Sequence, residues 1–236
     1  MVKSSPLRNL DVIKTWVKDI YADFAFDIIG FATKSGKAIP LNLEPGTLGN
    51  VIEGVLIAHL NQKVNGDTNI SVTEGGFRYY PDLELTGPLF DNQLIALDIK
   101  AARRSERNQN RTQSRITLYS FGTYLKFQDK KFPQTIRPFA DYKYHLDLIA
   151  IFDVNPKEKS VGNFELLIVE PWKIASKTAS SATRDYVGAI MEIDKIKNET
   201  GGEFKTQKEF YDFWASIPRR GQAAKERGID STQAAP

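Results

Sequence analysis

Tyr80-Pro81-Asp82-Leu83-Glu84-Leu85 and Ile95-Ala96-Leu97-Asp98-Ile99-Lys100, with Thr86-Gly87-Pro88 and Asp91-Asn92 between them, make up the most informative stretch of this 236-residue chain. Two apolar runs, Tyr79 to Leu85 and Gln93 to Ile99, flank turn residues, which predicts a hairpin. Side chains alternate along a strand, so Asp98 and Lys100 leave one face while Ile99 enters the other. Paired across the hairpin, Asp82 joins them. Two carboxylates that close repel unless a cation lies between them, and aspartate oxygens suit magnesium, with the main-chain carbonyl of Ile99 as a further donor. A phosphodiester attacked by water gains negative charge, which such a cation and the Lys100 ammonium would stabilise. Taken singly, Pro-Asp is a common turn starter, and Asp-x-Lys at a strand end is often a surface ion pair worth at most about 1 kcal/mol. Their combination points to phosphodiester hydrolysis. The competing reading is a strand-end charge cluster in a DNA-binding module that does not cleave.

Outward from the hairpin, Ile13, Trp16, Val17, Ile20, Tyr21 and Phe24 have helical spacing, entered near Asp11. Ser35 to Leu41 reads as extended, and Glu44-Pro45-Gly46-Thr47 precedes a second helix from about Leu48 to Val64. Glu53 falls beside the apolar stripe of that helix, where a carboxylate needs a reason to be. Its structural alternative is a surface acid paired with a lysine. Ile70 to Thr73 reads as a strand, and Ile116 to Phe127 is open between strand and helix, since Gly122 interrupts either pattern. Leu146 to Phe152 and Phe164 to Val169 are near-continuous apolar runs, expected as central strands buried on both faces. Phe210, Phe213, Trp214 and Ile217 form a last helix stopped by Pro218. Mixed helices and strands without a repeat indicate an α/β or α+β domain around one central sheet. We expect one domain over residues 1–218 and a disordered polar tail over 219–236.

Composition narrows the chemistry. There are no cysteines and two histidines, His59 and His145, so thiolate zinc sites, cysteine nucleophiles and His-rich metal sites are excluded. Hydrolysis here must rest on carboxylates, lysine and a hard cation. Nowhere do about eighteen apolar residues run without a charge, and the start lacks the layout of a secretion signal. The expectation is a cytoplasmic protein without a membrane partner. Net charge is only +3, but Lys100 to Arg115 holds six basic residues against the single acid Glu106. The plain reading of that run is a solvated loop.

Pro-Asp, fifteen intervening residues and then Asp-x-Lys match the pattern written PD-(D/E)-x-K. Gly36-Lys37, Pro40-Leu41, Glu53, Thr117-Leu118, Pro138-Phe139 with Tyr142 and His145, Trp172-Lys173-Ile174-Ala175 and Glu209 to Trp214 follow in order. This ordered set resembles the EcoRV-like type II restriction endonucleases from about Asp11 to Arg220. The resemblance implies a restriction-endonuclease-like core: a central mixed β-sheet flanked by helices, with a catalytic hairpin at about 79–100. It implies a prokaryotic homodimer that cuts both strands of a short palindrome to blunt ends, with Mg2+ as cofactor, Mn2+ as a substitute and a companion DNA methyltransferase protecting host DNA. Asp82 and Asp98 would be metal ligands with the Ile99 carbonyl, Lys100 would orient the attacking water and scissile phosphate, and Glu53 would be an accessory acid and ligand. A repair or junction nuclease on the same fold is the enzymatic alternative.

Reading a DNA sequence needs donors and acceptors that reach base edges. The resemblance places the recognition loop at about 176–187, but its glycine- and asparagine-rich character is replaced here by Ser180-Ser181-Ala182-Thr183-Arg184. Arg184 suits the O6 and N7 of guanine. Gly75-Gly76-Phe77-Arg78 stands where the family has a minor-groove loop: the glycine pair allows backbone approach and Arg78 suits a narrow groove. Ala101 and Ala102 replace threonines. Gly122 and Thr123 join the DNA-contacting set, as do Arg103, Arg104 and Arg107, which a flexible loop would wrap around the phosphates.

Overall fold

The structure is a computed structural model that describes residues 6–217 apart from 29, 41–42, 77, 120–122, 156, 159 and 182–185. Helix α1 (Leu10–Ile20) starts at Asn9, whose side chain accepts from the Asp11 N–H. A small hairpin, β1 (Gly30–Ala32) and β2 (Ala38–Pro40), turns through Gly36 at φ 79°. Helix α2 (Pro45–Val64) begins earlier than the apolar stripe predicts. Pro45 fits the first turn because its missing N–H would have no partner there, and the Glu44 carboxylate accepts from the Thr47 N–H at 3.2 Å. Leu48, Ile52, Leu56 and Leu60, four apart, form its buried line, and the Tyr21 hydroxyl donates to the Leu56 carbonyl, tying α1 to α2.

The sheet follows: β3 (Ser71–Glu74), β4 (Leu83–Thr86), β5 (Ile95–Ser105) and β6 (Asn108–Thr112). After the short β7 (Thr117–Tyr119) and helix α3 (Thr123–Lys126) come β8 (Tyr144–Asn155) and β9 (Ser160–Val169). Helix α4 (Pro171–Ile174), β10 (Val187–Gly188), α5 (Ile193–Lys197) and α6 (Gln207–Ser216) complete the chain. Strand order is β3-β4-β5-β8-β9, with β6 on β5 and a separate β7–β10 pair. Only β5 and β8 run parallel among these pairs, so the sheet is mixed.

Alternation sorts the two faces. Leu83, Leu85, Ile95, Leu97, Ile99, Leu146, Leu148 and Ala150 pack with α1 and α2. Ala96, Ala102, Ile149 and Ile151 pack with the aromatic cluster of Tyr80, Tyr119 and Phe139 and with Phe210 and Trp214 of α6. Helices therefore cover both faces, an α+β architecture, and the central mixed sheet is as expected.

Several expectations change. The β4–β5 ladder is short, Leu83↔Leu97 to Leu85↔Ile95, because the connection folds into a 3-10 turn at Pro88–Phe90 whose Phe90 enters the core. Strand β9 is an edge of its sheet, not a central strand. Its Phe164, Leu166 and Ile168 are only partly covered, with Phe24 and Phe26 against Phe164. The ambiguous Ile116 to Phe127 segment holds a strand, Thr117–Tyr119, and a helix, Thr123–Lys126, with 120–122 outside the described residues. Strand β5 continues to Ser105 and turns into β6, so the arginine run is a hairpin and not a flexible loop. Residues 219–236, expected as a tail, lie outside the described residues.

Candidate active site

Strand β4 pairs with β5 only as far as Leu97, and the next N–H of β5 on that edge, that of Ile99, is taken by a side chain: Asp82 Oδ2 accepts it at 2.6 Å. An unpaired buried N–H is costly, so this bond places the Asp82 carboxylate beside Asp98. In an extended strand the N–H and C=O of one residue point to the same edge, so the Ile99 carbonyl also faces the Asp82 side. Tyr80, just before Pro81 and Asp82, is held by backbone bonds from its N–H to Gln134 and from Ile136 to its carbonyl. Gly75 lies beneath: its N–H donates to the Asp82 carbonyl at 2.7 Å, and a Cβ there would stand 2.4 Å from the Pro81 carbonyl oxygen. The missing side chain of this glycine is thus used within the protein, against the hairpin itself.

Asp98 and Lys100 project from the same face, as the alternation predicts, and form an ion pair. They open on a cleft of about 880 Å³ that Glu53, Asp82, Arg78 and Tyr186 also line. Glu53 reaches it from α2, half-buried. Burial and then the nearby Asp82 push the Glu53 carboxyl up to about 7, against the pull of Lys100. Burial also raises Asp82, opposed by Lys100 and the Ile99 N–H. The donors are all oxygens, the type a hard dication takes, and burial disfavours the charged forms of Glu53 and Asp82. They converge on one cleft without closing into a cage: among the described residues no three His, Cys, Asp or Glu side chains stand close enough together to hold a metal ion. Lys100 occupies Asp98 and the Ile99 N–H occupies Asp82.

Two buried polar groups behind the cleft are absent from the sequence-based set. Asp147 lies on β8 directly opposite Asp98 in the parallel register and is 1% exposed. Its signal in the sequence is a carboxylate inside the apolar run Leu146 to Phe152. Behind Tyr80, His145 is stacked on Phe139 and its Nδ1 lies 2.6 Å from the Tyr80 hydroxyl. Burial pushes the imidazole down to about 3, so His145 is neutral and its Nδ1 accepts from Tyr80. Glu84 is held away from this chemistry, accepting from Arg137 Nε at 2.7 Å and the Tyr142 hydroxyl at 3.1 Å.

The residues expected to meet DNA divide. Arg78 lines the cleft at φ 61°, and Gly76 is exposed. Arg107 is exposed in the β5–β6 turn and Arg103 bonds Glu106. Arg104 does not face solvent as a phosphate contact: its side chain is 12% exposed and bonds the Asn163 carbonyl and Glu165. Ser180 closes the base of its loop, its N–H donating to the Tyr186 carbonyl at 3.0 Å and its hydroxyl 2.7 Å from that of Thr117. Ser181 is partly buried beside it. Thr123 opens α3, next to Tyr124 of the cleft wall. Ala182, Thr183, Arg184 and Gly122 lie outside the described residues. No helix among the described residues is long and apolar enough to cross a membrane.

Comparison with known proteins identifies the family. The type II restriction enzyme EcoRV of Escherichia coli is 23% identical over 218 residues, covering 86% of either chain. The restriction endonuclease BglI, solved bound to its DNA recognition sequence, is similar over 65% of this chain and 60% of its own, at 16% identity and a TM-score of 0.31. A family model described as restriction endonuclease EcoRV matches residues 22–233, nearly the whole chain. The chain belongs to the EcoRV restriction endonuclease family.

Proposed function

We propose that this protein is a type II restriction endonuclease that cuts both strands of a short palindromic DNA site, to blunt ends, by divalent-cation-dependent phosphodiester hydrolysis. The observation that carries the reading is the meeting of Asp82, Asp98, Lys100 and Glu53 in one open cleft. Asp82, Asp98 and the Ile99 carbonyl would hold Mg2+ or Mn2+, with Glu53 as the accessory acid. When bound, the ion supplies charge neutralisation at the scissile phosphate and a water more readily deprotonated than bulk water. The Lys100 Nζ donates to a phosphate oxygen and stabilises the charge that develops there. The Ile99 N–H fixes the Asp82 carboxylate so that it does not drift toward solvent. Before the ion binds, Glu53, its carboxyl raised to about 7 by burial and by Asp82, would take up and release a proton near neutral pH.

A palindrome read by two equivalent surfaces fits a homodimer, since a two-fold axis in the protein matches that of the site. The loop around Ser180 to Arg184 would read base edges and the Gly76–Arg78 loop the minor groove. Arg103 and Arg107 would meet phosphates, and Gly122 and Thr123 would border the duplex. A companion DNA methyltransferase would protect host DNA in the cytoplasm.

Incubation of the chain with plasmid DNA and Mg2+ tests this. Discrete bands with blunt sequenced ends support it. Structure-dependent nicking would instead identify a repair or junction nuclease, and intact DNA with a mobility shift a binding module. Asp98→Ala is expected to abolish cutting and to retain the mobility shift. Full-rate cutting by that variant would refute the site.

A further inference from the structure

The scheme above leaves idle a carboxylate at the centre of the sheet. Asp147 is buried, and neither of its side-chain oxygens has a hydrogen-bond partner among the described residues. The same face of β8 continues with Ile149 and Ile151 in the apolar core, so packing alone would favour another aliphatic side chain here. A buried, unpaired carboxylate is destabilising, and such groups persist where function holds them. What Asp147 faces is specific. It stands opposite Asp98 in the β5–β8 register, and Lys100, two residues along, leaves β5 from that same face. Burial is the largest influence on its charge and opposes ionisation, Lys100 favours the carboxylate, and Asp82 opposes it.

Lys100 pairs with Asp98 as the protein stands. That partnership cannot persist unchanged if Asp98 turns its oxygens to a dication, because the ammonium is then left beside a second positive charge. We propose that Asp147 is a positioning residue for Lys100, a second anionic anchor that keeps the ammonium lodged on this face of β5, aimed at the scissile phosphate, when Asp98 is engaged elsewhere. Neutral or apolar groups at residue 147 would let Lys100 withdraw toward solvent. The inference rests on the nuclease reading for its purpose, but the charge interaction of Lys100 with Asp147 does not depend on it.

The test uses the full chain with Asp147→Asn, which keeps the shape, and Asp147→Leu, which is apolar and of similar size. Unfolding by urea in EDTA is measured for wild type, Asp147→Asn, Lys100→Met and the double variant. Both Asp147 variants are expected to raise the unfolding midpoint, and Lys100→Met to lower it less in the Asp147→Asn background than in wild type. Additive shifts, or a lowered midpoint in both Asp147 variants, overturn the proposal. In single-turnover cleavage with Mg2+, Asp147→Asn is expected to cut on the order of ten- to a hundredfold more slowly, the scale of a misplaced catalytic group. Its DNA affinity, read by mobility shift in EDTA, is expected to be unchanged. An unchanged cleavage rate, or a loss explained by weaker DNA binding, overturns the proposal. A wild-type protein that cuts no DNA sinks the nuclease reading instead, and the urea cycle then still decides whether Asp147 anchors Lys100.

Discussion

Acidification should destabilise this protein through His145, and replacing that residue by glutamine should remove the effect. The imidazole is buried, stacked on Phe139 with ring centroids 3.9 Å apart, and its Nδ1 accepts from the Tyr80 hydroxyl. Burial holds it neutral, down to about 3 from an ordinary value of 6.5. The sign follows from proton counting: between these values the unfolded chain binds a proton that the folded chain refuses, so acid favours unfolding. The contribution is complete above the unfolded value and is lost as pH falls below it, at about 1.4 kcal/mol per pH unit. Going from about pH 7.5 to about pH 5 therefore removes about 2 kcal/mol, a large part of the margin of an ordinary domain. Glu53, Asp82 and Asp147 work the other way, since their raised carboxyls favour the folded state as pH falls. The wild-type profile alone is thus a sum, and a difference is needed. His145→Gln keeps an acceptor for Tyr80 and has no proton to gain. Urea unfolding of both proteins at the two pH values should show the stability advantage of wild type shrinking by about 2 kcal/mol on acidification. A gap that stays constant to within about 0.5 kcal/mol would refute the neutral, buried imidazole.

Gly75→Ala should cripple cleavage while leaving the protein folded, because its new Cβ, 2.4 Å from the Pro81 carbonyl oxygen, must displace the backbone that carries Asp82. Normal single-turnover cleavage by that variant would show that Asp82 needs no such placement. Arg107→Ala should lower the slope of log affinity against log salt by about 0.9 if Arg107 neutralises one phosphate, in a titration by mobility shift. Arg104→Ala should leave that slope unchanged and instead lower the thermal midpoint, since Arg104 ties β5 to β9 through Glu165 and the Asn163 carbonyl. The reverse pattern would put Arg104 on DNA. Glu84→Leu should destabilise by about 2 kcal/mol in urea unfolding, leaving the buried Tyr142 hydroxyl and half-exposed Arg137 without their acceptor. A change under about 0.5 kcal/mol would mean water serves both equally well.

What was legible in the sequence was what short-range geometry decides. Asp98 and Lys100 share a face because alternation needs no knowledge of the rest of the chain, and Leu48, Ile52, Leu56 and Leu60 share one because a helix turns through 3.6 residues. What escaped depends on partners distant in sequence. Arg104 looks like a free cation in a polar run until β9 brings Glu165 to it. The apolar run of β9 looks central until the strand order leaves it at an edge with Phe24 and Phe26 as partial cover. Asp147 was in plain view as a charge in an apolar strand, but its meaning is fixed by the β5–β8 register, which no local pattern contains.

The same register explains why the candidate site lies where it does. A strand in the middle of a sheet has both edges occupied by neighbouring backbones, which leaves no room for a substrate. Strand β5 keeps β8 on one edge through Arg103 but loses β4 after Leu97, so its other edge opens in the middle of the domain. The Asp82 side chain enters that opening and takes over the acceptor role that a continuing β4 would have filled at Ile99. A backbone N–H that must be satisfied thus brings a carboxylate to Asp98. The closed edge delivers Asp147 from the opposite side. Lengthening β4 by two residue pairs in the present register, to Pro81↔Ile99, would fill the gap with backbone, releasing Asp82 from Ile99 and closing the cleft over Asp98. The early end of the β4 ladder is therefore a requirement of the site, and the fold's stability there depends on the very acid that the reaction would use.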